Sequence, residues 1–291
     1  MNQEKQWLLT EKHNGLESEA FQVDCARLDA GEPLGYVIGH VPFLDCTIYL
    51  DSHPLIPRPE TEYWTKHLID TLQTSPPPQV RDSIPYLRVL DLCAGSGCSG
   101  VAIAKALPGS SVDFAEIDPL HLPTIKKNLE INLPTMTVNS HNEYKSSQQK
   151  SSSRPGLELD AVQQSKNRFD VYEADLFTPQ NPSSRPGLEL GRYDVIVSNP
   201  PYIDPAHDRT ETSVADYEPH EALYGGVDGM ELLARIIAGA RAQLAPGGQL
   251  WLEHEPEQSA AIQALGALQH LAVTTHKDQY QVERYSVLVV E

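Results

Sequence analysis

From Arg88 onward, short apolar runs alternate with segments of helical periodicity, and this alternation restricts the folds that the chain can adopt. Strands separated by helical segments are typical of a parallel sheet with helices on both faces. A short turn separates the last two runs, which predicts an antiparallel closing hairpin. The sequence therefore predicts an α/β fold with a mostly parallel sheet. Its seven predicted strands are Arg88–Cys93, Ser111–Asp118, Phe169–Asp175, Tyr193–Asn199, Gln249–Glu255, Leu271–Lys277 and Tyr285–Val290.

A repeated octapeptide interrupts the pattern. Ser-Ser-Arg-Pro-Gly-Leu-Glu-Leu occurs at residues 152–159 and again at residues 183–190. Two short copies do not make a repeat fold, because each unit of such a fold is a whole supersecondary element. We expect disordered surface insertions at residues 138–167 and 179–190. The predicted segments of the chain are residues 1–30 (short helical pieces), residues 31–62 (a connector with a β-hairpin) and residues 63–291 (the main domain).

The charge of the chain restricts its partners. It carries 22 Lys and Arg against 40 Asp and Glu, a formal net charge of −18. Tight binding to a phosphate backbone depends on Lys and Arg that displace condensed counterions. We therefore expect no direct nucleic-acid binding, and a protein surface is the more compatible macromolecular partner.

Membrane and metal roles are also disfavoured by the sequence. No apolar run approaches the roughly 20 residues that a membrane-spanning helix needs, and no signal-peptide core is visible. The four cysteines have neither paired spacing nor a histidine cluster beside them, so we expect no metal site.

A glycine-rich loop follows the first predicted strand and opens a helix. It runs from Asp91 through Cys93, Ala94, Gly95, Ser96 and Gly97. Glycines at such a junction let a ligand approach the backbone closely. No Gly-Lys-Ser/Thr closes the loop, which disfavours a P-loop nucleotide site. The carboxylate of Asp91 opposes a pyrophosphate and suits a cationic ligand.

The next two predicted strands also end in carboxylates. Glu116 stands where doubly wound folds hydrogen-bond a ribose diol. Asp175 offers an acceptor for an adenine amino group, and Leu176 and Phe177 offer apolar contact to its ring. Together with Asp91, this order of groups favours S-adenosylmethionine as the ligand.

The fourth predicted strand ends in Asn199-Pro200-Pro201-Tyr202. The two prolines fix φ and remove N–H donors, so carbonyl groups there stay free to accept hydrogen bonds. A polar amide beside these carbonyls and an aromatic ring predicts a site for a planar NH2 group.

Several motifs of this chain occur together in one known family. They are Gly31-Glu32-Pro33 with Tyr36, Gly39 and Phe43; Leu55 to Glu62 (Leu-Ile-Pro-Arg-Pro-Glu-Thr-Glu); the glycine loop; Asn199 to Tyr202; and Glu218 to Leu223 with Gly225-Gly226 and Asp228-Gly229. From about Gly31 to the C-terminus, the chain resembles the HemK family of N5-glutamine methyltransferases. That family methylates the Gly-Gly-Gln loop of peptide-chain release factors.

The resemblance implies a class I S-adenosylmethionine-dependent methyltransferase fold, preceded by a helical recognition segment. It implies a release factor as the protein substrate in translation termination, without an obligate activator subunit. The residues expected to bind the cofactor are Asp91, Cys93, Ala94, Gly95, Ser96, Gly97, Glu116, Asp175, Leu176 and Asn199. The residues expected to hold the substrate amide are Asn199, Pro200, Pro201 and Tyr202, with Tyr202 packed against the amide plane.

The chain departs from the family pattern at three places. Cys93 stands where the family has glycine, most of the helical head before Gly31 is missing, and the predicted insertions flank the third strand close to the adenine site. The chain resembles the bacterial and organellar branch of the family. The segment Leu250 to Glu255 and the insertions suggest a fungal mitochondrial enzyme, although no transit peptide is visible.

Two other functions remain open from the sequence. An adenine-N6 nucleic-acid methyltransferase uses the same Asn-Pro-Pro-Tyr tetrapeptide, and a non-catalytic S-adenosylmethionine-binding partner protein needs only the cofactor residues. Leu55 to Glu62 favours the glutamine methyltransferase. Within it, Arg58 is expected to meet the ligand or pair with Glu60 or Glu62, and Glu253 is expected to be a polar strand end.

Overall fold

The computed structural model describes residues 1–75, 87–133, 167–180, 192–210 and 212–291. Its helices are α1 (Gln3–Glu11), α2 (Glu19–Asp29), α3 (Leu34–Ile38), α4 (Pro59–Thr74), α5 (Cys98–Ala106), α6 (Leu122–Asn132), α7 (Thr212–Tyr217), α8 (Glu231–Gln243) and α9 (Ser259–Leu268). Its strands are β1 (His40–Phe43), β2 (Cys46–Tyr49), β3 (Arg88–Leu92), β4 (Ser111–Glu116), β5 (Arg168–Asp175), β6 (Thr178–Pro179), β7 (Tyr193–Ser198), β8 (Leu244–Glu253), β9 (Leu271–Lys277) and β10 (Glu283–Val290).

The main sheet has the order β6-β5-β4-β3-β7-β8-β10-β9. Strands β5, β4, β3, β7 and β8 pair in parallel, while β10 pairs antiparallel with both β8 and β9. The predicted α/β class and the closing hairpin are therefore confirmed. Within the described residues the sheet has eight strands rather than seven, because the two-residue β6 turns back antiparallel along the end of β5.

The predicted strand ends match the structure or differ by one or two residues, except at the start of β8. Strand β8 begins at Leu244 rather than Gln249, because Ala245 to Gly248 continue in strand conformation after the helix ends. It ends at Glu253 rather than Glu255. Both repeated octapeptides lie outside the described residues, so the prediction for them stays open.

Buried apolar side chains on both sheet faces form the core. One cluster packs the face covered by α4, α5 and α6, with Trp64, Phe114 and Val197 among its buried members. The other packs the face covered by α8 and α9 around Leu250 and Ile237. Both faces of the central strands are thus covered, which is the usual condition of a parallel sheet.

The chain order reverses on either side of β3. Strands β4 and β5 lie to one side of it, and β7 and β8 lie to the other. Ligands of open α/β sheets bind outside the carboxyl ends of the strands at such a switch point. The loops that follow β3 and β7 therefore meet where a ligand is expected.

A separate two-stranded hairpin, β1 with β2, packs beside this crevice. Two asparagine side chains of α6 form hydrogen bonds with the backbone of β2. Asn128 accepts from the Tyr49 N–H at 2.8 Å and donates to the Tyr49 carbonyl at 3.1 Å, and Asn132 makes the same pair of bonds with Thr47 at 3.0 and 2.9 Å. Asn128 also donates to the Ser96 carbonyl in the glycine loop at 2.9 Å. These side chains join the hairpin to the site.

We predict that Asn128→Ala destabilises the protein. The substitution leaves the Tyr49 N–H, the Tyr49 carbonyl and the Ser96 carbonyl without their partner. Each unmet buried group costs about 1–3 kcal/mol, and the two Tyr49 groups are only part-buried, so we expect a loss of about 3 kcal/mol. Urea unfolding measures the loss, with the exposed Glu130→Ala on the same helix as the matched control. A loss below about 0.5 kcal/mol, the size of a surface substitution, would contradict the anchoring role.

Candidate active site

A cavity of about 610 Å³ opens at the carboxyl ends of β3, β4, β5 and β7. Leu55 and Pro57 close it from the segment before α4, and Pro219 and Ala222 from the segment after α7. The predicted site residues that line it are Asp91, Cys93, Ala94, Gly95, Ser96, Glu116, Asp175, Leu176, Asn199 and Pro201. The structure thus brings together groups that are widely separated in the sequence.

Three predicted residues lie outside this lining. Gly97 caps the start of α5 in a left-handed conformation, with φ of 75°. Pro200 and Tyr202 belong to the loop after β7, where Tyr202 faces a neighbouring groove of about 680 Å³. The roles assigned to these residues stay predictions.

The glycine loop follows β3 through three left-handed residues. Cys93, Gly95 and Gly97 have φ of 58°, 53° and 75°. The left-handed φ of Cys93 favours glycine at this position, because a non-glycine residue in this region costs about 1–2 kcal/mol. Cys93 therefore adds local strain as well as the altered packing expected from the sequence.

Glu116, at the end of β4, holds this loop in place. Its side chain accepts from the Gly95 N–H at 2.7 Å and from the Asp118 N–H at 2.9 Å, one bond on each oxygen. A carboxylate has about four acceptor positions, so both oxygens retain capacity for a ligand. Glu116 is buried and lines the cavity.

Asp91 lies deeper, with one oxygen accepting from the Gly100 N–H at 2.8 Å. Burial raises the pKa of Asp91 to about 7, the Gly100 bond lowers it, and the nearby Glu116 charge raises it further. Glycine at position 100 makes room for this contact, since an added Cβ would lie 2.9 Å from Asp91 Oδ2 and would also clash with the Phe114 ring. A positive charge in the cavity would stabilise the ionised form of Asp91.

Asp175 is already paired in the structure. Arg235 of α8 donates to both of its oxygens at 2.8 Å, in a partly exposed ion pair. Leu176, the next residue, is buried and has a positive φ of 52°. The sequence did not indicate Arg235, because nothing in the chain order suggests that α8 reaches the end of β5.

The loop after β7 presents two acceptors. The Asn199 side-chain nitrogen donates to the Thr61 hydroxyl at 3.0 Å, which leaves the amide oxygen Oδ1 for another partner. Within the described part of the chain, no donor bonds Asn199 Oδ1 or the Pro200 carbonyl oxygen. The free carbonyl predicted from the two prolines is therefore present.

Close packing fixes the backbone of this loop. An added Cβ at Gly229 would lie 1.9 Å from the Tyr202 carbonyl oxygen, and one at Gly225 would lie 2.6 Å from the Pro201 carbonyl oxygen. Gln258 donates to the Tyr202 carbonyl at 2.8 Å. The glycine motifs that carry the family resemblance thus make room for the Asn-Pro-Pro-Tyr loop.

Glu253 is not the solvent-facing polar strand end that the sequence led us to expect. Its side chain is buried and accepts from Thr61 and Trp64 at 2.7 Å and from the Tyr202 hydroxyl at 2.9 Å. Burial raises the pKa of Glu253, and these bonds oppose the shift. Tyr202 is therefore held by Glu253 through its hydroxyl, while its packing against a substrate amide stays a prediction.

Arg58 also differs from the expectation. It pairs with Glu218 at 2.6 Å rather than with Glu60 or Glu62, and Glu218 further accepts from the Ile56 N–H at 3.0 Å. Glu218 has no exposed side-chain surface. This pair ties the segment Leu55 to Glu62 to the segment after α7, and so closes two sides of the cavity.

The fold and this site define a class I S-adenosylmethionine-dependent methyltransferase. The catalytic domain of hMettl16, solved with the MAT2A 3′UTR hairpin 6, shares the fold with a TM-score of 0.52 at 15% identity, over 94% of this chain and 82% of that one. No family model matches the chain.

Curated relatives identify the family. The release factor glutamine methyltransferase of Bordetella pertussis is 30% identical over 98% of this chain and 89% of its own length. That of Burkholderia pseudomallei is 31% identical over 90% and 77%. That of Rhodopirellula baltica is 32% identical over 81% of this chain, which spans 66% of that relative. The chain belongs to the release factor glutamine methyltransferase family, as the motifs predicted.

The raised pKa of Asp91 predicts a pH dependence of stability. The folded state keeps the Asp91 proton up to about pH 7, while the unfolded state loses it near the ordinary value of 3.8. Stability therefore falls as pH rises through this window, by up to about 1.4 kcal/mol per pH unit. Asp91→Asn removes the contribution, so we expect the free energy of unfolding of wild type to drop relative to this variant between pH 5 and 7.

Urea unfolding of both proteins at pH 5, 6 and 7 measures this difference. Asp113, whose pKa burial also raises, to about 6, is present in both proteins and cancels in the comparison. Parallel pH profiles for wild type and Asp91→Asn would contradict the prediction.

Proposed function

We propose that this protein transfers the methyl group of S-adenosylmethionine to the side-chain amide nitrogen of the glutamine in the Gly-Gly-Gln loop of a peptide-chain release factor. The observation that carries the proposal is a pair of acceptors after β7, Asn199 Oδ1 and the Pro200 carbonyl oxygen, to which no donor of the described residues is bonded. They stand beside the cavity at the switch point of the sheet. Membership of the release factor glutamine methyltransferase family supports the choice of substrate.

The donors and acceptors of the cavity fit S-adenosylmethionine. Glu116 and, once a cation favours its ionised form, Asp91 supply negative charge to the cavity, and Glu116 has spare acceptor capacity for ribose hydroxyls. The backbone of Cys93 to Gly97 would lie along the ligand, and Asp175 with Leu176 would meet the adenine. When bound, S-adenosylmethionine supplies an electrophilic methyl group on a positively charged sulfur.

The residues after β7 address the weakness of an amide as a nucleophile. Its nitrogen lone pair is delocalised into the carbonyl, so the nitrogen must be positioned and its developing charge stabilised. Asn199 Oδ1 and the Pro200 carbonyl accept one N–H each, which directs the nitrogen toward the cavity and stabilises positive charge. No general base is needed before transfer, because the proton leaves afterwards.

Charge favours a protein over a nucleic acid as the substrate. A net charge of −18 opposes a phosphate backbone, which disfavours the adenine-N6 alternative. The free acceptors beside the cofactor cavity disfavour a non-catalytic binding protein. The expectations of no nucleic-acid contact, no activator subunit and a mitochondrial location stay predictions.

A second groove offers room for the polypeptide around the glutamine. It has a volume of about 680 Å³ and runs from Tyr202 past Arg209 to Gln258. Since only Pro201 separates Tyr202 from the acceptor pair, a chain lying in this groove would present one side chain to Asn199. We assign the groove to the segment that flanks the methylated glutamine.

We predict that Asn199→Ala removes most methyl transfer and leaves cofactor binding intact. Loss of one preorganised hydrogen-bonding group at a reacting centre costs about 10²-fold in kcat. Tritiated S-adenosylmethionine with purified release factor measures transfer, and calorimetry measures cofactor affinity. The exposed amide of Gln263 on α9 provides the control substitution Gln263→Ala. Wild-type transfer by Asn199→Ala would contradict the proposed function.

We predict that Glu116→Ala weakens S-adenosylhomocysteine binding by about 10- to 100-fold, because hydrogen bonds to a charged group contribute about 1.5–3 kcal/mol. The variant also loosens the glycine loop, so a second ligand isolates the ribose contact. The affinity ratio of S-adenosylhomocysteine to its 2′-deoxy analogue should approach one in Glu116→Ala only. The exposed Glu173→Ala is the matched control. An unchanged ratio in Glu116→Ala would exclude the ribose role.

A further inference from the structure

Four side chains behind the acceptor loop form one hydrogen-bonded series. Trp64 Nε1 and Thr61 Oγ1 both donate to Glu253 Oε2 at 2.7 Å. Asn199 Nδ2 then donates to Thr61 Oγ1 at 3.0 Å. Trp64 and Glu253 are buried, and Thr61 is buried against the cavity wall. The series joins α4 and β8 to the proposed substrate site.

The donors and acceptors in this series have one arrangement when Glu253 is ionised. An indole N–H donates and never accepts, so Trp64 donates to Glu253 Oε2. Ionised Glu253 has no proton to give, so the hydroxyls of Thr61 and Tyr202 must also donate to it. The direction of the series therefore follows from the carboxylate form of Glu253.

The Thr61 hydroxyl fixes the orientation of the Asn199 amide. A hydroxyl has a single proton, and Thr61 gives its proton to Glu253. Toward Asn199 the hydroxyl can then only accept, so it takes the NH2 end of the amide and leaves Oδ1 on the opposite side. The reversed amide would place two acceptors against each other.

We propose that Thr61, held by Glu253, is a positioning residue that fixes the Asn199 amide with its oxygen toward the substrate. The inference rests on the proposed function, in which that oxygen accepts an N–H of the glutamine. An asparagine turned the other way would present its own NH2 to the substrate NH2 and repel it. The threonine of the segment Leu55 to Glu62 thereby selects an amine-bearing group.

The test compares Thr61→Val, which has nearly the same shape and no hydroxyl, with Thr61→Ser, which restores the hydroxyl. We expect Thr61→Val to lower kcat for release factor methylation by about 10-fold, the effect of one hydrogen bond of about 1.4 kcal/mol, with unchanged affinity for S-adenosylmethionine. Thr61→Ser should recover most of this loss. Thr65→Val is the matched control, because Thr65 is equally buried on α4 and its hydroxyl meets Ser99 at 3.2 Å instead of Asn199.

A second measurement separates positioning from a general structural effect. We use a release factor in which glutamate replaces the glutamine that is methylated. Its carboxylate is repelled by the two acceptors of the wild-type enzyme, Asn199 Oδ1 and the Pro200 carbonyl oxygen. Without Thr61 the Asn199 amide is free to turn and donate to that carboxylate. We measure the dissociation constant of the glutamate form divided by that of the glutamine form. In Thr61→Val we expect this ratio to fall by about fivefold or more, which corresponds to about 1 kcal/mol of binding free energy.

The outcomes are distinct. A wild-type protein that does not methylate release factor would overturn the proposed function, and the positioning role with it. Active wild type with inactive Asn199→Ala and fully active Thr61→Val would overturn the positioning role alone. A lower kcat in Thr61→Val with an unchanged glutamate-to-glutamine ratio would also overturn it, because the residue would then act by packing.

Discussion

The buried carboxylate of Glu253 is the interaction on which the acceptor site depends. With 1% of its surface exposed, it would cost several kcal/mol if its oxygens lacked donors. Thr61, Trp64 and Tyr202 supply them. Tyr202 lies on the loop after β7, and Thr61 and Trp64 lie on α4. The hydrogen bonds to Glu253 therefore hold these two elements together at the substrate site. The raised pKa of Glu253 shows that burial exceeds this compensation.

A second buried pair shapes the cofactor side. Asp91 and Glu116 end neighbouring strands, and each holds a backbone N–H of the glycine loop or its helix. Burial raises the pKa of Asp91 most, and the Glu116 charge raises it further. A cation in the cavity lowers the cost of ionising Asp91. The same groups therefore build the loop and favour a positively charged ligand over a phosphate.

The sequence predicted the strands and their ends well, because apolar runs of strand length report burial on both faces. It could place Asn199 beside the cofactor loop, since parallel strands end at one edge. It could not predict the partners of Arg58 or Glu253, because both are distant along the chain. Arg58 and its partner Glu218 are 160 residues apart, and Glu253 and its partner Thr61 are 192 residues apart. The sequence did contain a sign that Glu253 is buried. Glu253 directly follows the apolar run Leu250-Trp251-Leu252, within a strand that was expected to be buried.

Topology places the described residues on either side of the first predicted insertion away from the adenine site. The described chain stops after Leu133, which follows α6, and resumes at Asn167, directly before β5. Asn167 is buried there, donates to the Ala104 carbonyl at 2.7 Å and accepts from the Gly109 N–H, so it belongs to the start of the sheet. Parallel strands all begin at one edge, and the cavity lies at the other. Asn167 and Asp175 therefore lie at opposite ends of β5, with the cavity at the Asp175 end.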